Sequence, residues 1–196
     1  MGCEVALNSY ANCTSCGLEP TSYFLTPVAS ASMSPDDKWP DPETLAVRSG
    51  TDEYTGWLGF DIGSISVPEG AWPFLGFISL RMTDEPNNPN NVPGIVFSHS
   101  DANDWDSDAV QPGEIVSAGS FSNGQWNLTE GNYTPADWNL AQLNLASNAA
   151  NWWPQDLQDG WLTLGVEENS TEERSVHFWG ATDGEFDPQL QLVFCQ

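Results

Sequence analysis

Basic side chains are nearly missing from this sequence: 196 residues hold four Lys and Arg together against 28 Asp and Glu, a formal net charge of −24. A chain this negative repels phosphate backbones and anionic lipid headgroups, so neither nucleic acid nor a membrane surface is an expected partner. Long hydrophobic runs are missing too. No stretch approaches the roughly 18 apolar residues of a membrane helix, and a soluble protein is expected. No G-x-S-x-G turn occurs, and the only two histidines, His99 and His177, stand far apart in sequence, which removes the usual arrangements for nucleophilic catalysis. Paired carboxylates could in principle hydrolyse a glycoside, but among 28 acids any pair is an arbitrary choice. A non-catalytic protein is expected.

Aromatic residues are plentiful by contrast, with ten Trp, nine Phe and four Tyr, far more than a disordered acidic tail carries. The chain therefore folds, and its length suits one domain with an appendage. Cys3, Cys13 and Cys16 crowd the start and Cys195 is next to last. In an extracellular chain they read as two disulfides, with Cys195 joined to Cys13 or Cys16. A zinc site from all four is the competing reading, but a second C-x-x-C or a nearby His pair is missing. A thioredoxin-like motif would need a βαβ pattern after Cys16, and none follows. Sequons at Asn12, Asn127, Asn132 and Asn169 agree with a secreted or cell-surface location. No signal peptide is present, so one removed beforehand is expected, and Ala6 stands where a myristoylation motif at Gly2 needs Ser or Thr.

Residues 1–28 read as a Cys-rich extension and 29–196 as the folded domain. Within the latter, apolar residues alternate. Leu58, Phe60 and Ile62 share one face, as do Ile78, Leu80 and Met82, then Leu162, Leu164 and Val166, then Val176 and Phe178, then Leu190, Leu192 and Phe194. Residues 45–48 add a short strand, 83–94 read as a loop, and 135–150 as a short helix with Leu140, Leu143 and Leu145 as its apolar stripe. One aliphatic face per strand, and one polar or aromatic face, is the pattern of an all-β fold, an antiparallel β-sandwich of jelly-roll type.

In order and spacing, the segments TLAVRSG (44–50), GWLGFDIGSISVPEGA (56–71), FISLRM (77–82), DANDWDSDAV (101–110), GWLTLGV (160–166), SVHFWGATDGEFDP (175–188) and QLQLVF (189–194) resemble the DNRLRE-type jelly-roll domains, related to the disaggregatase repeat. The resemblance covers residue 29 to the C terminus and implies a carbohydrate-binding-module-like domain. Gly59 departs from it, since members usually carry a basic residue there, and the Cys-rich start is no part of the pattern.

Alternation also directs Trp57, Trp161 and Trp179 away from the aliphatic faces of three strands. Side by side they would form a flat aromatic platform suited to sugar rings. The competing reading has long loops or the extension covering that face as a second small core. Arg48, Arg81 and His177 fall on the same outward register, where a guanidinium beside an aromatic surface would hold the carboxylate or sulfate of an acidic polysaccharide; the bland reading is that they neutralise neighbouring acids. Asp101, Asn103, Asp104, Asp106 and Asp108 alternate in a way that could offer several oxygens to one Ca²⁺ ion, though without the EF-hand glycine or terminal glutamate. The function expected is a secreted, non-catalytic polysaccharide-binding module or surface protein. The alternative is a self-associating subunit of an extracellular filament, matrix or adhesive assembly.

Overall fold

The computed structural model describes residues 20–41, 43–67, 72–83, 94–127, 138–143, 156, 158–168, 171–181 and 184–195. Among them the chain forms eleven strands: β1 (Pro20–Leu25), β2 (Ala29–Met33), β3 (Thr44–Ser49), β4 (Thr55–Asp61), β5 (Trp72–Arg81), β6 (Gly94–Ser100), β7 (Gly119–Asn127), β8 (Trp138–Leu143), β9 (Trp161–Glu168), β10 (Arg174–Trp179) and β11 (Gln189–Cys195). Every pairing is antiparallel.

Eight strands pair as nested couples: β6 with β7, β5 with β8, β4 with β9 and β1 with β11. Such nesting is a two-stranded ribbon closed by the β6–β7 turn. Rolling the ribbon brings β5 beside β11 and β6 beside β9, which yields one sheet ordered β1-β11-β5-β8 and another ordered β2-β4-β9-β6-β7. This is a jelly roll, as the alternating sequence pattern predicts. Three strands are additions to it. β2 extends the second sheet beside β4, while β3 and β10 pair with each other and prolong the first layer, where Phe178 bridges Met82 just past the end of β11 at Ser79.

The aliphatic faces meet between the layers. Leu58, Phe60, Leu162 and Leu164 from one side pack against Ile78, Leu80, Leu190 and Phe178 from the other, all fully buried, as the alternation requires. Ser30 and Ser32, buried on β2, carry hydroxyls that accept the amide hydrogens of Ala181 and Ala46, so polar side chains satisfy donors at the seam between the layers.

Two sequence expectations change. β1 pairs with β11 over its whole length, so the sandwich starts ahead of residue 29 and the boundary moves towards the N terminus. The helix expected over 135–150 is replaced, where the chain is described, by strand β8, laddered on β5. Ala141 and Leu143 face the core and Leu140 faces solvent, a period of two that the ladder with Gly76–Arg81 enforces over local preference. Helical backbone does occur at residues 156, 158 and 159, closed by the Gly160 amide bonding the Asp156 carbonyl at 2.8 Å.

Candidate functional site

Trp57 and Trp161 lie on the outer face of the second sheet, as alternation predicts, yet they are only 3% and 8% exposed. The loop over residues 101–118 covers them. Trp105 inserts its ring edge-on to Trp161, with centroids 6.4 Å apart, and Val110, Ile115, Met33, Ala29 and Ala31 complete a second small core. The expected platform is therefore corrected: these two indoles are packed under a loop, and Trp179 lies on the other layer. The glycines opposite them explain the fit. A Cβ on Gly59 would meet Trp161 Cζ2 at 2.5 Å and one on Gly165 would meet Trp57 Cζ3 at 2.8 Å, so only a bare backbone lets the rings lie flat. A side chain at Gly59 would therefore displace the Trp161 ring.

The acidic loop holds a cation of its own. The Lys38 ammonium donates to the backbone carbonyl of Ser107, to that of Asp108 at 3.3 Å and to that of Val110 at 3.4 Å. Meanwhile the side chains proposed for calcium turn to other tasks. Asp106 accepts the amides of Asp108 and Ala109, Asn103 donates to Asp159 at 2.7 Å, and Asp101 lies 3.7 Å from His99. Asp104 and Asp108 are exposed. Among the described residues no three acidic, His or Cys side chains converge as a metal site.

The remaining candidates do come together, on the outer face of the first layer. Because Phe178 bridges Met82, Arg81 stands opposite Trp179, and on its other side Arg81 pairs with Trp138 of β8. Trp138, Arg81 and Trp179 thus form one row across three strands. Phe186, from the turn before β11, lies over this row, its ring 3.6 Å from Arg81 Cζ and 5.5 Å from the Trp179 ring. That turn is held by the Gly184 amide bonding Asp187 at 2.9 Å. Two residues along β10, the His177 ring lies 5.3 Å from that of Trp39, tilted by 47°, and Trp39 in turn meets Tyr54 edge-on and lies 6.0 Å from Arg48 Cζ. All these residues are half-buried except Tyr54, which is buried, and Trp138, 37% exposed. The result is a diagonal strip of alternating basic and aromatic groups.

Its arginines are not neutralised locally. Arg174 pairs with Glu168 at 3.7 Å and Glu172 at 3.1 Å, but among the described residues no carboxylate lies within ion-pairing distance of Arg48 or Arg81. Arg81 Nε is buried and finds no hydrogen-bond acceptor among them. Both guanidiniums rest on aromatic rings instead, the geometry of cation–π contact. Burial, followed by the 2.9 Å hydrogen bond to Asp37, raises the pKa of Tyr54 above 10.0, so its phenol stays neutral as a prop for Trp39.

Sequence reasoning missed Trp39, Trp138 and Phe186 because they sit in an acidic loop, a segment read as helix and a turn. It also missed the buried pair His99–Asp156, 3.0 Å apart, where burial pushes the Asp156 carboxyl upward while the bond to His99 pulls it down. Nothing in the local sequence signals that pair, which joins residues 57 positions apart. Cys3, Cys13, Cys16, the side chain of Cys195, Asn12, Asn132, Asn169 and the side chain of Asn127 lie outside the described residues.

No protein-family model matches the chain, and no curated protein is significantly similar to it. Among solved structures, the decameric BFDV capsid protein is similar at 11% identity with a TM-score of 0.27, over 91% of this chain and 99% of that one. The jelly-roll topology is read from the strand ladders, independently of that likeness.

Proposed function

We propose that this protein is a secreted, non-catalytic carbohydrate-binding module or surface protein, and that its ligand lies along the strip from Trp138 through Arg81, Phe186 and Trp179 to Trp39 and Arg48. The observation that carries the reading is the interleaving: in a chain with four Lys and Arg, two of the arginines lie on one sheet face, each against an aromatic ring and neither ion-paired among the described residues. Aromatic faces stack on the C–H faces of sugar rings, and guanidinium donors bind oxygen in a forked geometry. A rigid sheet holds both without induced ordering.

Affinity electrophoresis through gels containing soluble polysaccharides tests the reading. Retardation of the wild type by at least one polymer, lost on Trp179→Ala, supports it; equal mobility of both proteins in every polymer refutes it.

A structural subunit is the second reading, favoured by Phe24 and Leu140, 72% and 62% exposed on the outer side of the first sheet. Sedimentation distinguishes them, since concentration-dependent assembly that Phe24→Ser abolishes favours the subunit.

A further inference from the structure

We infer that the polysaccharide bound along this strip is sparsely anionic, presenting carboxylate or sulfate groups to Arg81 and Arg48; the inference rests on the carbohydrate reading above. Arg81 and Arg48 are separated by two strand spacings, from β5 across β10 to β3, and by four residues along the strand, from the Trp179–Thr44 pair to the Ser175–Arg48 pair. Strand spacing and rise make that roughly 16 Å between their backbones. One monosaccharide cannot touch both. A polymer whose charges recur over several units can.

The arginines fit an anion better than a neutral hydroxyl. Arg81 Cζ lies 3.6 Å from the Phe186 centroid and Arg48 Cζ 6.0 Å from the Trp39 centroid, and among the described residues no acid pairs with either. A forked contact from the terminal guanidinium nitrogens to a planar carboxylate, or to two sulfate oxygens, would pair such a cation. The rest of the molecule sets the upper limit on ligand charge. At a net charge of −24 the surface repels a dense polyanion, whereas double-stranded DNA carries one charge per roughly 1.7 Å of axis. Two cations roughly 16 Å apart by strand geometry match a polymer of low charge density, and repulsion from the other acids fades beyond a Debye length of about 8 Å at physiological salt.

The test is titration calorimetry in 0.15 M salt with partly methyl-esterified polygalacturonate, with its fully methyl-esterified form, with a galactan carrying one sulfate per disaccharide and its desulfated form, and with single-stranded DNA. Arg81→Gln, Arg48→Gln and Arg81→Lys are compared with the wild type after each is shown to melt cooperatively. The expected result is at least tenfold tighter binding of one charged polymer than of its uncharged counterpart. Each Gln variant should lose most of that ratio, Arg81→Lys should restore little of it, and DNA should not bind. If Arg81→Gln fails to fold, Arg48→Gln decides. Equal affinity for charged and uncharged polymers, or an unchanged ratio in the Gln variants, overturns the inference and leaves the carbohydrate reading standing. Binding of DNA as tight as that of any polysaccharide overturns it as well. Absence of binding to every polysaccharide, charged or not, overturns both.

Discussion

Trp105 and Trp161 donate their indole N–H groups to one oxygen, the hydroxyl of Thr163, at 3.0 and 2.9 Å. Thr163 in turn donates to the Ala102 carbonyl at 2.6 Å, which uses the full capacity of the hydroxyl, two lone pairs and one hydrogen. A loop, a sheet and two large rings thus meet at a single buried side chain. Thr163→Val keeps the shape and removes the acceptor, leaving two buried donors unsatisfied. Denaturant unfolding should show a loss of about 2–6 kcal/mol, from roughly 1–3 for each orphaned group, with most of it restored in Thr163→Ser. A loss below about 1 kcal/mol would mean that water replaces the hydroxyl.

Lys38 is the one lysine, and its ammonium sits where the acidic loop turns its carbonyls inward. Replacing it by Met keeps the stem and removes the cation. The loop should then loosen over the Trp57–Trp161 core, seen as a red shift and increased quenching of tryptophan fluorescence. Calcium titration of both proteins gives a second readout. A calcium-dependent rise in melting temperature that appears only in Lys38→Met would identify the ammonium as occupying the loop's cation position.

Asp156 makes stability depend on pH with a defined sign. Its folded pKa is raised above 3.8, chiefly by burial, so the folded chain binds this proton more tightly than the unfolded one. Its stabilising contribution is therefore complete at low pH and is lost as pH rises through the raised value. Relative to Asp156→Asn, the wild type should lose stability as pH rises from about 4 through the weakly acidic range. A difference that instead grows in favour of the wild type would show that the bond to His99 dominates over burial.

The register of β1 on β11 places Pro20 opposite Cys195. Cys16 lies four residues before Pro20, a span of at most about 14 Å when extended, and Cys13 is three residues further. Non-reducing peptide mapping should recover Cys195 linked to Cys13 or Cys16. Four free thiols, or one bound zinc per chain, would contradict that pairing.

Strands such as Trp57–Asp61 in β4 and Leu190–Phe194 in β11 are legible in the sequence because aliphatic or aromatic residues recur at every second position, Leu58 and Phe60 in one and Leu190, Leu192 and Phe194 in the other, and all of these are core residues. β2 is not, since its Ala-Ser-Ala-Ser run carries no hydrophobic contrast; its serines serve the amides of Ala46 and Ala181, and its alanines pack under the loop. β8 misleads because Leu140, Leu143 and Leu145 satisfy a helical spacing, while what decides the outcome is a ladder to β5, more than fifty residues away. The site divides in the same way. Alternation assigns Arg48, Arg81, His177 and Trp179 to an outward face, but which strands neighbour one another, and which outward face a loop will cover, depends on topology. Trp57 and Trp179 obey the same local rule and end in opposite surroundings for that reason.

That contrast allows one decisive comparison, polysaccharide affinity and melting temperature measured together on Trp179→Ala and Trp161→Ala. Trp179 is on the proposed ligand strip, so its loss should weaken binding by about 1–3 kcal/mol while the melting temperature stays near that of the wild type. Trp161 is in the second core, so its loss should cost about 3–5 kcal/mol of stability, while the protein that remains folded at low temperature binds as the wild type does. Unchanged binding in Trp179→Ala, together with weakened binding in folded Trp161→Ala, would place the ligand on the second sheet and contradict the assignment of the strip.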